Sequence, residues 1–195
     1  MKKRLTLTDI LVTIVISVVF AIIYKLWGPV SDLVSPLGLH FDELIYGMWF
    51  IAATVAFLII RKPGVALLAE TAAASGEYIV GSQYGLEVLL YGVLQGLGAE
   101  IIFALFLYRS FSIFTASLAA LGATAGSFVM DVLRGYITDL EPWNLVLLVT
   151  ARSVGAIVIA GVFAYYLVKA IEKTGVTDSL RPVSSQDYKA LDEDL

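Results

Sequence analysis

An all-α integral membrane protein is the fold class the sequence predicts: a bundle of six transmembrane helices with both termini cytoplasmic. Three observations predict it. Of 195 residues, 59% are hydrophobic and 15% charged, against roughly 45–50% and about 25% in soluble domains; mean hydropathy is +0.87. The charges cluster, leaving apolar tracts long enough to cross a hydrocarbon core about 30 Å thick. Finally, Lys and Arg gather in alternate connections, as cytoplasmic loops do.

The first helix is expected over 8–27, with Thr6 or Thr8 as N-cap. The start, Lys2-Lys3-Arg4, resembles a signal peptide. The apolar stretch Leu7 to Trp27 is too long for one, and no small-x-small cleavage site follows, so a retained helix is expected. Gly28, Pro29, Pro36 and Gly38 punctuate a loop over 28–40. The second helix, 42–60, stops at Arg61-Lys62, and Pro63 opens a third over 63–80, rich in Ala and Gly. A turn at 81–85 leads to the fourth, 86–108, ended by Arg109. The fifth spans 112–134, the loop 135–142 follows, and the sixth spans 143–171. Residues 1–172 thus form one transmembrane domain, and 173–195 an acidic, mobile cytoplasmic tail.

Ten of the 13 Lys and Arg residues fall at the termini and at the connections around Arg61 and Arg109; the others are Lys25, Arg134 and Arg152. The opposite loops carry Asp32, Asp42, Glu43, Asp139 and Glu141. This bias orients a multi-pass protein of the cell membrane. Without a broad basic patch, nucleic acid is not an expected partner. No Cys and a single His, His40, exclude thiol chemistry and His-rich metal sites, and no cofactor is implied. No P-loop, H-E-x-x-H or G-x-S-x-G motif is present, so neither ATP binding nor hydrolysis is expected of the chain itself.

Ionisable groups at membrane depth are costly and face the bundle or a cavity. Glu70 and Glu77 share a face of the third helix, and Glu87, Tyr91 and Gln95 run at spacing four along the fourth. Asp131 and Arg134 are expected to pair, and Arg152 to pair with Glu100 or Glu70. Glu77, Tyr84, Tyr91, Gln95, Asn144, Trp27, Trp143 and His40 all fall in one outer layer, which reads as a polar, aromatic pocket. Carboxylates beside aromatic faces suit an organic cation, and Gln95 and Asn144 supply paired donors and acceptors for a heterocycle. Small residues at spacing four, Gly92/Gly96 and Gly122/Gly126, allow close helix approach. Thr13, Ser17 and Ala21 form a stripe that faces either the bundle or a partner subunit.

The segments GLHFDELIYGMWF (38–50), RKPGVALLAETAAASGEYIVGSQYG (61–85) and LLYGVLQGLGAEIIFALF (89–106) resemble S-components of energy-coupling-factor (ECF) vitamin transporters, of the YkoE type. The resemblance covers about residues 5–172. It implies capture of thiamine or its hydroxymethylpyrimidine precursor from outside the cell, without covalent chemistry. The implied partners are a transmembrane T-subunit and two ATP-binding subunits. Glu77 would balance the cation or accept from an amino group. Trp27, Tyr84, Tyr91 or Trp143 would stack on the rings, Gln95 and Asn144 would hold the pyrimidine, and the loop 28–40 with His40 would act as a lid. Many such proteins present Ala-xxx-Ala to the T-subunit on the first helix; Thr13-xxx-Ser17-xxx-Ala21 is the nearest equivalent here. The alternative function is a stand-alone ion- or proton-coupled transporter using Glu70, Glu77 and Glu100 as a relay.

Overall fold

The computed structural model describes residues 4–180. The expected tail beyond 180, and Lys2 and Lys3, lie outside the described residues. The described part is all helical: α1 (Leu7–Val34), α2 (Ile51–Ile60), α3 (Val65–Val80), α4 (Glu87–Leu105), α5 (Ile113–Leu133), α6 (Pro142–Ala156) and α7 (Ala164–Glu172). A 3₁₀ segment, Phe41–Phe50, runs into α2, and a π-helical segment, Ile157–Phe163, joins α6 to α7 as one rod. Five rods are long and apolar enough to cross a membrane: Leu7–Leu37, Phe41–Ile60, Glu87–Leu105, Ile113–Leu133 and Pro142–Glu172. The chain is therefore a multi-pass membrane protein. With 16 residues, α3 is only about 24 Å long.

α1 begins with a reciprocal cap at Thr6: Thr6 N donates to Asp9 Oδ2 at 2.6 Å, and Asp9 N to Thr6 Oγ1 at 3.3 Å. It does not stop at Trp27. The helix runs through Pro29 to Val34, correcting most of the expected 28–40 loop. A proline ring removes one hydrogen bond but leaves φ helical, and transmembrane helices tolerate it where neighbours re-satisfy the backbone. Gly28 lies close to the loop after α3: a Cβ there would stand 3.1 Å from the end of the Gln83 side chain.

α2 occupies the centre, with all ten residues buried. A helix apolar on every side belongs there. The other rods surround it, and Phe57 of α2 stacks on Phe103 of α4 at 3.7 Å between centroids. α4 and α5 touch backbone to backbone: a Cβ on Gly98 would lie 2.0 Å from Gly122 O, and one on Gly126 2.2 Å from Leu94 O. Thr13, Ser17 and Ala21 are also buried. Ser17 Oγ donates to Ala69 O at 3.0 Å, so this stripe seats α1 on α3 and is not open to a partner.

Two buried acids serve the backbone. The 3₁₀-to-α change at Phe50 leaves the first N–H groups of α2 without intrahelical acceptors. Tyr24 Oη accepts from Ala52 N at 3.0 Å, Glu70 Oε2 accepts from Ala53 N at 3.1 Å, and Tyr24 donates to the same carboxylate at 3.0 Å. Glu100 does the same for α3, accepting from Gly64, Ala66 and Leu67 N. Each carboxylate meets the positive end of a helix dipole. Arg152 therefore does not pair with either of them, contrary to expectation.

Candidate functional site

At the end of the bundle ringed by the loops around residues 38–41, 81–86 and 134–141, the helices part around a cavity of about 630 Å³. That volume suits a small-molecule ligand. One wall comes from the segment Phe41–Phe50. At three residues per turn, side chains at i and i+3 eclipse. Glu43, Tyr46 and Trp49 therefore stand in one row, and all three line the cavity. An α-helix, which the sequence suggests from residue 42 onward, would fan them across about 120°. The segment presses on α6 through glycine: a Cβ on Gly155 would lie 2.1 Å from Leu44 O, and one on Gly47 would lie 2.9 Å from Ala156 Cα.

Arg152 is the hub of the opposite wall. Its guanidinium holds Glu43 through Nε at 2.5 Å and Nη2 at 2.9 Å. Nη1 donates to Asp131 Oδ2 at 2.5 Å and to Ser127 Oγ at 3.0 Å. Tyr46 and Phe128 lie against its faces, 4.0 and 4.7 Å from ring centroid to Cζ. Tyr91 Oη donates to Asp131 Oδ1 at 2.5 Å. This corrects the expected Asp131–Arg134 pair: Arg134 reaches across to Glu87 instead. Arg134 follows α5 as its C-cap, in the exposed rim, while Asp131 points into the bundle.

The predicted residues divide into two groups. Glu77, Tyr84, Tyr91, Gln95 and His40 line the cavity. Glu77 is 1% exposed and accepts from Ser82 Oγ at 2.8 Å. The Tyr84 ring meets Trp49 edge-on at 5.7 Å, and burial raises its phenol pKa above the ordinary value. Trp27, Asn144 and Trp143 do not line it. Trp27 Nε1 donates to Ile45 O at 3.0 Å, tying α1 to the 41–50 segment. Asn144 Oδ1 meets His40 Nε2 at 2.6 Å and so supports the wall from behind. Neighbouring positions on a helix are about 100° apart. With Asn144 turned toward His40, Trp143 points outward and is 65% exposed.

Sequence reasoning missed Glu43, Tyr46, Trp49, Asp131 and Arg152 as wall residues, together with Tyr24 and Tyr136. The signal available was the spacing of three in Glu43, Tyr46 and Trp49. The electrostatics are one-sided. Five carboxylates, Asp42, Glu43, Glu77, Glu87 and Asp131, line the cavity, and three cations serve them: Arg152, Arg134 and Lys25. Lys25 also donates to Gly81 O at 2.5 Å. Counted at their formal charges, these carboxylates exceed the cations by two, in a wall of aromatic rings.

A family model described as the permease component of an ABC-type cobalt transport system matches residues 8–126. Over 179 residues the chain is 31% identical to the putative HMP/thiamine permease protein YkoE of Bacillus subtilis (strain 168), covering 91% of this chain and 90% of that one. It superposes on a crystal structure of an S-component of an ECF transporter with a TM-score of 0.86, at 28% identity, covering 97% of this chain and 95% of the other. The chain belongs to the YkoE-type S-components of ECF transporters. Among the described residues, no group of three or more His, Cys, Asp or Glu is placed to hold a metal ion.

Proposed function

We propose that this S-component captures thiamine or hydroxymethylpyrimidine outside the cell and hands it to a T-subunit driven by two ATP-binding subunits. The carrying observation is the cavity's charge: five carboxylates among aromatic rings, with three cations to answer them. Thiamine joins a permanently cationic thiazolium to a flat aminopyrimidine. The cation finds uncompensated carboxylate, and both rings find aromatic faces. The printed name of the Bacillus relative, an HMP/thiamine permease, agrees with this chemistry.

Six spans with cytoplasmic termini complete the reading, α3 being the sixth, short and sheltered between α1 and α4. Arg61, Lys62, Arg109, Lys169 and Lys173 lie at the ends of the helices away from the cavity. The positive-inside rule then turns the cavity mouth outward in the plasma membrane. Within the cavity, Glu77, Tyr84, Tyr91, Gln95 and His40 bear on the ligand, and Asn144, Trp27 and Trp143 act around it. The proton-relay alternative loses support because Glu70 and Glu100 are engaged with backbone N–H groups.

The test is calorimetry of thiamine against the purified chain in detergent, with tryptophan fluorescence as a second readout. Tight 1:1 binding without ATP is expected. A folded sample that binds neither thiamine nor hydroxymethylpyrimidine would overturn the assignment. Topology is checked separately. The chain has no Cys, so Asp139→Cys should be labelled from outside intact cells and Lys173→Cys only after lysis.

A further inference from the structure

The 3₁₀ segment Phe41–Phe50 is ten residues long, whereas such winding seldom lasts more than three or four. Side chains from α1 and α3 hold it. Trp27 Nε1 donates to Ile45 O at 3.0 Å. Just past its end, Ala52 N donates to Tyr24 Oη at 3.0 Å and Ala53 N to Glu70 Oε2 at 3.1 Å, and Tyr24 Oη donates to that same oxygen. Were 41–50 wound as an α-helix continuous with α2, these two N–H groups would bond Met48 O and Trp49 O, four residues back. The Tyr24–Glu70 pair and the α winding therefore compete for the same two donors. Glu70 is 0% exposed, and stripping a hydrogen bond from a buried carboxylate is costly.

We propose that Glu70 is a positioning residue for ligand binding: with Tyr24 it keeps the segment in its 3₁₀ winding, and so keeps Glu43, Tyr46 and Trp49 in the single row that lines the cavity. Glu70 does not itself line the cavity; it acts through the backbone at Ala53. Rewound as an α-helix, the ten residues would shorten from about 20 Å to about 15 Å. The row would fan across about 120° and turn part of the wall away from the ligand. When only a fraction of the chains carries the competent winding, the affinity for every ligand falls by that fraction. The ligand half of this inference rests on the proposed capture of thiamine or hydroxymethylpyrimidine; the winding itself is measured without a ligand.

The experiment pairs calorimetry with a spin-label distance between Phe41→Cys and Arg109→Cys. Both positions are exposed and off the cavity wall, in a chain with no other Cys. Glu70→Met keeps the bulk without the acceptor. In its ligand-free form a population shorter by about 5 Å should appear, and thiamine and hydroxymethylpyrimidine should both bind about 10-fold more weakly. Glu70→Gln keeps an accepting oxygen and should restore the wild-type distance and most of the affinity. A folded Glu70→Met with the wild-type distance, or with a shortened distance and wild-type affinity, overturns the proposal. Should that variant not fold, Tyr24→Phe, which removes the acceptor for Ala52 N, is judged by the same two readings. If wild type binds neither compound, the proposed capture falls, while the distance still upholds or overturns the winding.

Discussion

The buried carboxylates of the central bundle and those of the cavity wall are the same groups put to different use. Glu100 gives its oxygens to three backbone N–H groups opening α3, and Glu70 gives one oxygen, Oε2, to both Ala53 N and the Tyr24 hydroxyl. These acids replace hydrogen bonds that the chain loses where helices start inside the bundle. In the wall, Glu43 and Asp131 share one guanidinium, and Glu77 accepts from the Ser82 hydroxyl. Negative charge that the fold needs is matched locally, whereas charge in excess of local partners collects around the cavity. A buried acid in a membrane bundle is therefore a ligand candidate only after the backbone has taken its share.

Arg152→Ala tests the contrast most severely. It leaves Glu43 and Asp131 buried without their cation, and about 3–5 kcal/mol of stability should be lost, read as a fall in Tm in detergent. Gly155→Ala comes next. Its Cβ would collide with Leu44 O at 2.1 Å, costing about 1–3 kcal/mol. By pushing the 41–50 segment off α6 it should also weaken thiamine binding. Glu100→Gln should cost about 1 kcal/mol as the α3 N-terminus loses its charge, while the folded fraction binds thiamine normally. Glu77→Gln should do the reverse, moving stability by less than about 1 kcal/mol while affinity falls. Lost affinity in Glu100→Gln, or lost stability with unchanged affinity in Glu77→Gln, would erase the distinction between the two regions.

Much of the fold was legible because the hydrocarbon core imposes length and polarity on each segment. Tracts around 86–108, 112–134 and 143–171 became α4, α5 and the α6–α7 rod nearly as expected. Gly98, Gly122 and Gly126 sit at the α4–α5 contact, where small residues let backbones meet. The site was half legible. Glu77, Tyr91 and Gln95 stood out because polar groups inside apolar tracts need a reason. Tyr46 and Trp49 did not, since aromatic residues are unremarkable in a membrane helix.

By itself, then, the sequence determined a multi-pass helical membrane protein and an acidic polar layer, because these follow from composition, spacing and the cost of charge in lipid. Only the tertiary structure decided which acid meets which partner. Asp131 lies three residues from Arg134 yet bonds Arg152, 21 positions away, and Glu43 bonds the same arginine across 109. Pairing inside a bundle is set by which helix faces meet, and the 3₁₀ segment Phe41–Phe50 seats closely against Gly155 of a helix more than 100 residues on. Neither is written in local periodicity, because both depend on neighbours distant in the chain.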